Sequence, residues 1–293
     1  MQDASWSPDS LRLATVSDDQ KIRVWNIKSS ADSPGHLLAT LETNPPNVLA
    51  LVTSVDWHPD GQKLAVGFFS SGYSLQIWNT DNYQKIEERW IGWVDYLDWH
   101  PHPTSNEIVG AEQNSDATVF DLSNTDLVGD AVVNQGVGAV AAKWSPDGSR
   151  IAVGYIDGKI IVWDMPSDSQ VALLRADISS ISELDWSYDS SQIIASDDEG
   201  VVRIWDITTA QVVEELAADT LAVAFNPLKN QFAYGVSNGG IAFSLNANAS
   251  GEVAVTVRRA RSPMTDVSGH QQGSSTECRA RKRTGNGVDG SSK

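Results

Sequence analysis

The sequence has one cysteine, Cys278, and three methionines among 293 residues. One cysteine excludes an internal disulfide and points to a reducing, cytoplasmic compartment. No apolar run approaches the ~18 residues a membrane helix needs, so no membrane contact is expected. The opening MQDASWSPDS lacks a basic-then-apolar pattern, and no signal peptide is legible. There is no phosphate loop, nucleophile elbow, paired-glycine fingerprint or zinc-type His/Cys spacing. Nothing specific therefore supports an enzyme, and neither a cofactor nor a metal is expected.

Basic charge is scarce over most of the chain. Residues 1–257 hold 13 Lys/Arg against 35 Asp/Glu, a net charge of −22. Residues 258–293 hold eight basic residues against three acidic ones, a net charge of +5. So acidic a body repels phosphate backbones, which argues against nucleic-acid binding and favours basic protein partners. The last segment, rich in Ser, Gly and Arg and poor in apolar residues, reads as a disordered tail. Its RARKR run, Arg279 to Arg283, is a solvated charge run by default and a nuclear-import signal by alternative.

What is abundant is tryptophan, with eleven residues. Nine of them follow a repeat. The strand-like GVVRIWD, with Trp205-Asp206 at its end, recurs as RVWN at Trp25, QIWN at Trp78, TVFD at Phe120, IVWD at Trp163 and IAFS at Phe243. Successive separations are 53, 42, 43, 42 and 38 residues. A second motif keeps step: WSPDS at Trp6, WHPDG at Trp57, WHPHP at Trp99, WSPDG at Trp144, WSYDS at Trp186 and FNPLK at Phe225. Each period carries four short alternating runs separated by turn chemistry. In the fourth copy these are AVAAKW, RIAVGY, KIIVWDM and QVALLRA, with Asp147-Gly148 and Asp157-Gly158 suited to tight hairpins. Four antiparallel strands fill roughly 40 residues, and such sheets must stack on neighbours to bury both faces. Stacking around an axis predicts an all-β propeller.

On these motifs the chain resembles the WD40-repeat β-propellers over about residues 3–257. Blades are expected over roughly 1–43, 44–91, 92–135, 136–177, 178–218 and 219–257, and the basic tail over 258–293. The family's Gly-His before each first strand is absent, so its His–Asp–Ser–Trp network is not expected. Asp19 and Asp157 occupy the family's turn-aspartate position, with Glu199 replacing it in the fifth copy. Six copies are visible where the family commonly has seven. Two expectations follow: a fragment lacking an N-terminal portion, or a six-bladed ring closed by side-chain packing.

The resemblance implies a non-catalytic protein-binding platform. A regulatory or sensor module of a larger multidomain protein is the alternative, and a channel-based propeller enzyme is a third reading. His58, His100 and His102 fall at turn positions of separate blades, which argues against a metal site. Asp56, Asp98 and Asp185 each precede a first-strand Trp, which points to a structural role rather than catalysis. Trp90 and Trp93, in ERWIGWVDY, are the tryptophans the repeat does not explain. In the family such connections lie on the face carrying the channel's narrow opening. There Trp90, Trp93 and Tyr73 would anchor a protein or peptide partner, because aromatics bury large areas with few rotamers to freeze. Acidic turns at Asp18, Asp198 and Glu199 would ring that face and steer basic segments onto it. The alternative for Trp90 is packing between blades in place of the missing histidine.

Overall fold

The computed structural model describes residues 2–27, 35–43, 51–69, 74–112, 116–124, 130–131, 137–175, 179–217, 219–220, 222–226, 228–229, 231–236, 240–244 and 255–259. All regular structure among them is strand. The first blade comprises β1 (Asp3–Trp6), β2 (Arg12–Val16), β3 (Lys21–Asn26) and β4 (His36–Glu42). The second comprises β5 (Leu51–Trp57), β6 (Lys63–Phe69), β7 (Leu75–Asn79) and β8 (Lys85–Arg89). The third comprises β9 (Tyr96–Trp99), β10 (Glu107–Ala111), β11 (Ala117–Asp121) and β12 (Asp130–Ala131). The fourth comprises β13 (Ala139–Trp144), β14 (Arg150–Tyr155), β15 (Lys159–Asp164) and β16 (Ser169–Arg175). The fifth comprises β17 (Ile181–Trp186), β18 (Gln192–Asp197), β19 (Val201–Asp206) and β20 (Gln211–Ala217). The sixth comprises β21 (Val223–Phe225), β22 (Phe232–Val236), β23 (Gly240–Ser244) and β24 (Val255–Arg259).

Each blade is a four-stranded antiparallel meander, and the six form a β-propeller. The outer strand of the sixth blade ends at Arg259, two residues beyond the 257 boundary read from the pattern. The rest of the tail lies outside the described residues.

The core lies between blades, because each sheet is apolar on both faces. Ala152, Ile160 and Val162 of the fourth blade pack with Leu184, Trp186, Ile193 and Trp205 of the fifth. Val109 and Val119 of the third pack with Trp144, Ile151 and Tyr155 of the fourth. The first-strand tryptophans Trp57, Trp99, Trp144 and Trp186 are all buried. Gly154 permits a close approach between blades: a Cβ there would stand 2.8 Å from Ile181 Cγ2.

The SPD turns explain themselves. Ser145 Oγ donates to Asp147 at 2.6 Å and accepts from Arg150 N at 3.0 Å, closing the turn. Ser187 and Asp189 repeat the arrangement. His58 and His100 replace that serine and reach across a seam instead. His58 Nε2 contacts the Ser105 carbonyl at 2.8 Å, with its ring edge-on to Trp99. His100 Nε2 contacts the Gly148 carbonyl at 3.2 Å, edge-on to Trp144.

A ladder of N–H bonds joins the innermost strands. Val55 N donates to Asp3 Oδ2 at 2.9 Å, and Trp57 Nε1 to the Ser5 carbonyl at 3.1 Å. Trp99 N donates to Asp56 Oδ2 at 2.8 Å, and Trp144 N to Asp98 Oδ2 at 2.8 Å. Trp186 Nε1 donates to the Lys143 carbonyl at 3.0 Å. Phe225 N donates to Asp185 Oδ2 at 2.7 Å, and Val223 N to Glu183 Oε2 at 3.0 Å. In these main-chain and indole N–H bonds the earlier blade accepts and the later one donates, while two side chains run the other way: Ser5 Oγ donates to Asp56 Oδ1 at 2.9 Å and Lys143 Nζ to Asp185 Oδ1 at 3.2 Å. Asp56, Asp98 and Asp185 therefore have the structural role their recurrence suggests.

Candidate functional site

Antiparallel order fixes which loops share a face. Turns between second and third strands, and connections from each fourth strand to the next blade, lie together. Asp18, the Trp90–Trp93 connection, Asp198 and Glu199 are thus all on one face.

The connection after β8 is held at both ends. Ile91 N donates to Ser74 Oγ at 2.9 Å, and Gly92 turns the chain at φ +97°. Val94 is buried, and its carbonyl accepts from Thr53 Oγ1 at 2.7 Å. With Ile91 and Val94 anchored inside, the two tryptophans project outward. Trp90 is 47% exposed, so it does not fill a slot between blades. Trp93 is 39% exposed and meets Phe69 edge-on, with ring centroids 4.7 Å apart. Phe69, 38% exposed, pairs across the ladder with Leu51, which is 58% exposed. Leu51, Phe69 and Trp93 make a continuous apolar spot where β5, β6 and the connection converge. Sequence reading missed Phe69 and Leu51. Strand alternation carried no signal for them, because β6 is buried on both faces from Leu64 to Phe68 and only its last residue, Phe69, is exposed.

Carboxylates border this spot. Glu112 Oε2 lies 3.6 Å from where a Gly92 Cβ would be. Burial, then the neighbouring charge of Asp95, push the Glu112 carboxyl above its ordinary range. Asp95 N is tied to the Ala111 carbonyl at 2.9 Å, which holds both acids at the head of the third blade. Neither acid was singled out from sequence.

The acidic turns divide their labour. Asp19 is committed to its own turn: Arg23 and Ser17 donate to it and hold its carboxyl well below the usual range. Asp18 beside it is exposed and accepts from Gln2 Nε2. In the fifth blade the structural acid is Asp197, not Glu199 as the alignment of copies suggests. Asp197 is buried and accepts from Glu199 N at 3.1 Å, Val201 N at 2.9 Å and Arg203 Nη1 at 2.7 Å. Asp198 and Glu199 are left exposed on the turn. Asp18 sits on the first blade, Trp90 and Trp93 between the second and third, and Asp198 and Glu199 on the fifth. The structure puts these residues on one face but spreads them around the ring. Tyr73 lies outside the described residues.

A second acidic group lines the inner strands. Burial pushes the Asp56 carboxyl up to about 6 and the Glu183 carboxyl up to about 7. Burial and the charge of Asp56 raise Asp98 well above its ordinary value. Lys143 donates to Asp185 Oδ1 at 3.2 Å and stands over the Tyr96 ring. Burial works against the charge of this lysine, but the neighbouring acids, Asp185 foremost, hold its ammonium well above the ordinary range. Among the described residues, no group of three or more His, Cys, Asp or Glu is disposed to hold a metal ion. No helix among them is long and apolar enough to cross a membrane.

Six four-stranded blades in sequence order define the class as a six-bladed β-propeller. Residues 2–26, 35–79, 130–164 and 169–206 match the WD40 family model, described as WD domain, G-beta repeat. The chain thus carries WD40 repeats on a six-bladed β-propeller. It is 26% identical over 174 residues to human (Homo sapiens) angio-associated migratory cell protein, covering 58% of this chain and 36% of that one. It is 29% identical over 167 residues to protein HIRA of Oryza sativa subsp. japonica, covering 54% and 14%. It is 30% identical over 128 residues to anaphase-promoting complex subunit cdc20 of Dictyostelium discoideum, covering 40% and 23%. The matched stretch thus spans little more than a third of these relatives at most. WD40 propellers are generally non-catalytic scaffolds that bind other proteins.

Proposed function

We propose that this chain is a non-catalytic docking platform whose loop-bearing face takes a basic, partly apolar protein segment. The observation that carries the reading is the exposed Leu51–Phe69–Trp93 spot bordered by Asp95 and Glu112. An aliphatic or aromatic side chain would cover the spot. A Lys or Arg beside it would meet the carboxylates and the indole face. Trp90, Asp18, Asp198 and Glu199 extend the surface and steer cationic segments towards it. The name of the Dictyostelium relative, a subunit of a complex, agrees with a role in assembly.

The test is a titration of labelled 12-residue peptides, one Arg/Lys-rich with two aromatics and one Asp/Glu-rich with the same aromatics. The basic peptide should bind, and the acidic one should not. Trp93→Ala should weaken the basic peptide about 30-fold, or about 2 kcal/mol, with the unfolding midpoint retained. Equal binding by that folded variant would overturn the site assignment. A second reading, a regulatory module working within a larger chain, is favoured by the relatives, where the matched stretch fills only 14–36% of the length.

A further inference from the structure

Three features converge on the C-terminal tail. The first is where it leaves the propeller. β24 pairs antiparallel with β23, with Arg259 opposite Gly240. Gly240 opens β23 directly after the connection from β22. The end of β24 therefore emerges on the face that carries Trp93, Asp18, Asp198 and Glu199. The second is charge. Residues 1–257 carry −22, whereas residues 258–293 carry +5, with Arg279, Arg281, Lys282 and Arg283 in one run of five. The third is reach. About 20 residues separate Arg259 from Arg279, and such a stretch spans at most about 65 Å. A domain of this size has a radius of gyration of about 18 Å. The basic run can reach any point on the face from which the tail emerges.

We propose that the Arg279–Arg283 run docks in cis on the acidic loop-bearing face and masks the Trp93 spot until a basic partner displaces it. The proposal rests on the platform reading, because tail and partner would share one surface. Arginine suits that surface: its planar guanidinium stacks on an indole while donating to carboxylates. Attachment to the same chain raises the tail's effective concentration to the millimolar range, so a weak contact suffices to hold it. The face would then be selective by competition: only segments more basic or more aromatic than the tail would gain access.

Cys278, the sole cysteine and the neighbour of Arg279, allows a direct test on the full chain. Monobromobimane attached there is quenched by contact with tryptophan. Emission should be at least about twofold lower than that of the labelled synthetic peptide of residues 270–293. The quenching should be independent of protein concentration. Trp90→Phe/Trp93→Phe should lift it by removing the quenchers. Asp198→Lys/Glu199→Lys, the fourfold charge reversal of the basic run to Glu, and ~0.5 M salt should lift it by undocking the tail. The same samples, titrated with the basic 12-residue peptide, should bind it several-fold more tightly after the tail reversal. Full emission unaffected by any of these changes, together with Trp93-dependent peptide binding, would overturn the tail proposal and leave the platform standing. Quenching that grows with concentration would place the tail on a second copy and likewise overturn docking in cis. Full emission with no peptide binding would overturn both readings.

Discussion

Residues at equivalent positions of the repeat solve one backbone problem in two ways. The last residue of the first hairpin turn has positive φ in several blades. Gly61 and Gly148 meet the requirement without strain, whereas Ser10 and Ser190 sit at φ 57° and 56°. A left-handed conformation costs a non-glycine residue ~1–2 kcal/mol, of which glycine's extra unfolded-state entropy returns ~0.5–1. Ser10→Gly should therefore gain up to about 1 kcal/mol in urea unfolding. The converse change, Gly148→Ser, should lose at least about 2 kcal/mol. Its Cβ would lie 2.8 Å from His100 Cε1, displacing the ring that rests on Trp144. Equal effects of the two changes would show that turn strain is absorbed elsewhere.

At the scale of elements, the strands were legible because period-2 alternation and turn residues agree in every copy. The fourth copy's RIAVGY is β14 to the residue. What escaped sequence reading is the set of bulges. The pairing of third and fourth strands shifts immediately before Trp25, Trp78, Trp163 and Trp205. A bulge adds one residue without altering composition, so no local pattern announces it. The acidic site was half legible for a similar reason. Glu199 matches the turn aspartate by counting from the Trp, yet Asp197 is the carboxylate that points into the hairpin and meets Arg203. Leu51 and Phe69 were hidden because exposure at a strand end depends on the neighbouring connection, which only the fold supplies. The Asp197–Arg203 pair is buried, and Arg203 Nε also donates to Glu215 at 2.9 Å. Arg203→Met should cost about 3 kcal/mol by stranding the Asp197 charge. Adding Asp197→Asn should recover part of that loss in the same thermal-unfolding measurement. No recovery would mean that Arg203 acts through packing alone.

At the scale of the whole molecule, the acidic inner strands couple stability to pH. The Glu183 carboxyl is raised from 4.5 to about 7, so the folded state holds a proton that the unfolded chain has already released. That contribution is present in full below pH 4.5 and is lost as pH rises through 7. Asp56, raised to about 6, acts in the same direction. Glu183→Gln removes one titration while keeping an oxygen for Val223 N. Relative to this variant, the unaltered protein should lose on the order of 2 kcal/mol between pH 4.5 and pH 8. Parallel pH profiles for the two proteins would show that Glu183 titrates normally.

The polarity of the inter-blade ladder also bears on how the chain is made. For its main-chain and indole N–H bonds the acceptor waits on the blade synthesised first, and the donor arrives on the next. A ribosome adding ~5–20 residues per second delivers a 42-residue unit every few seconds, while β-rich folding takes milliseconds to seconds. At four of the five seams the nascent blade therefore meets a carboxylate on its predecessor, Asp3, Asp56, Asp98 or Asp185, and the ring can grow vectorially during translation.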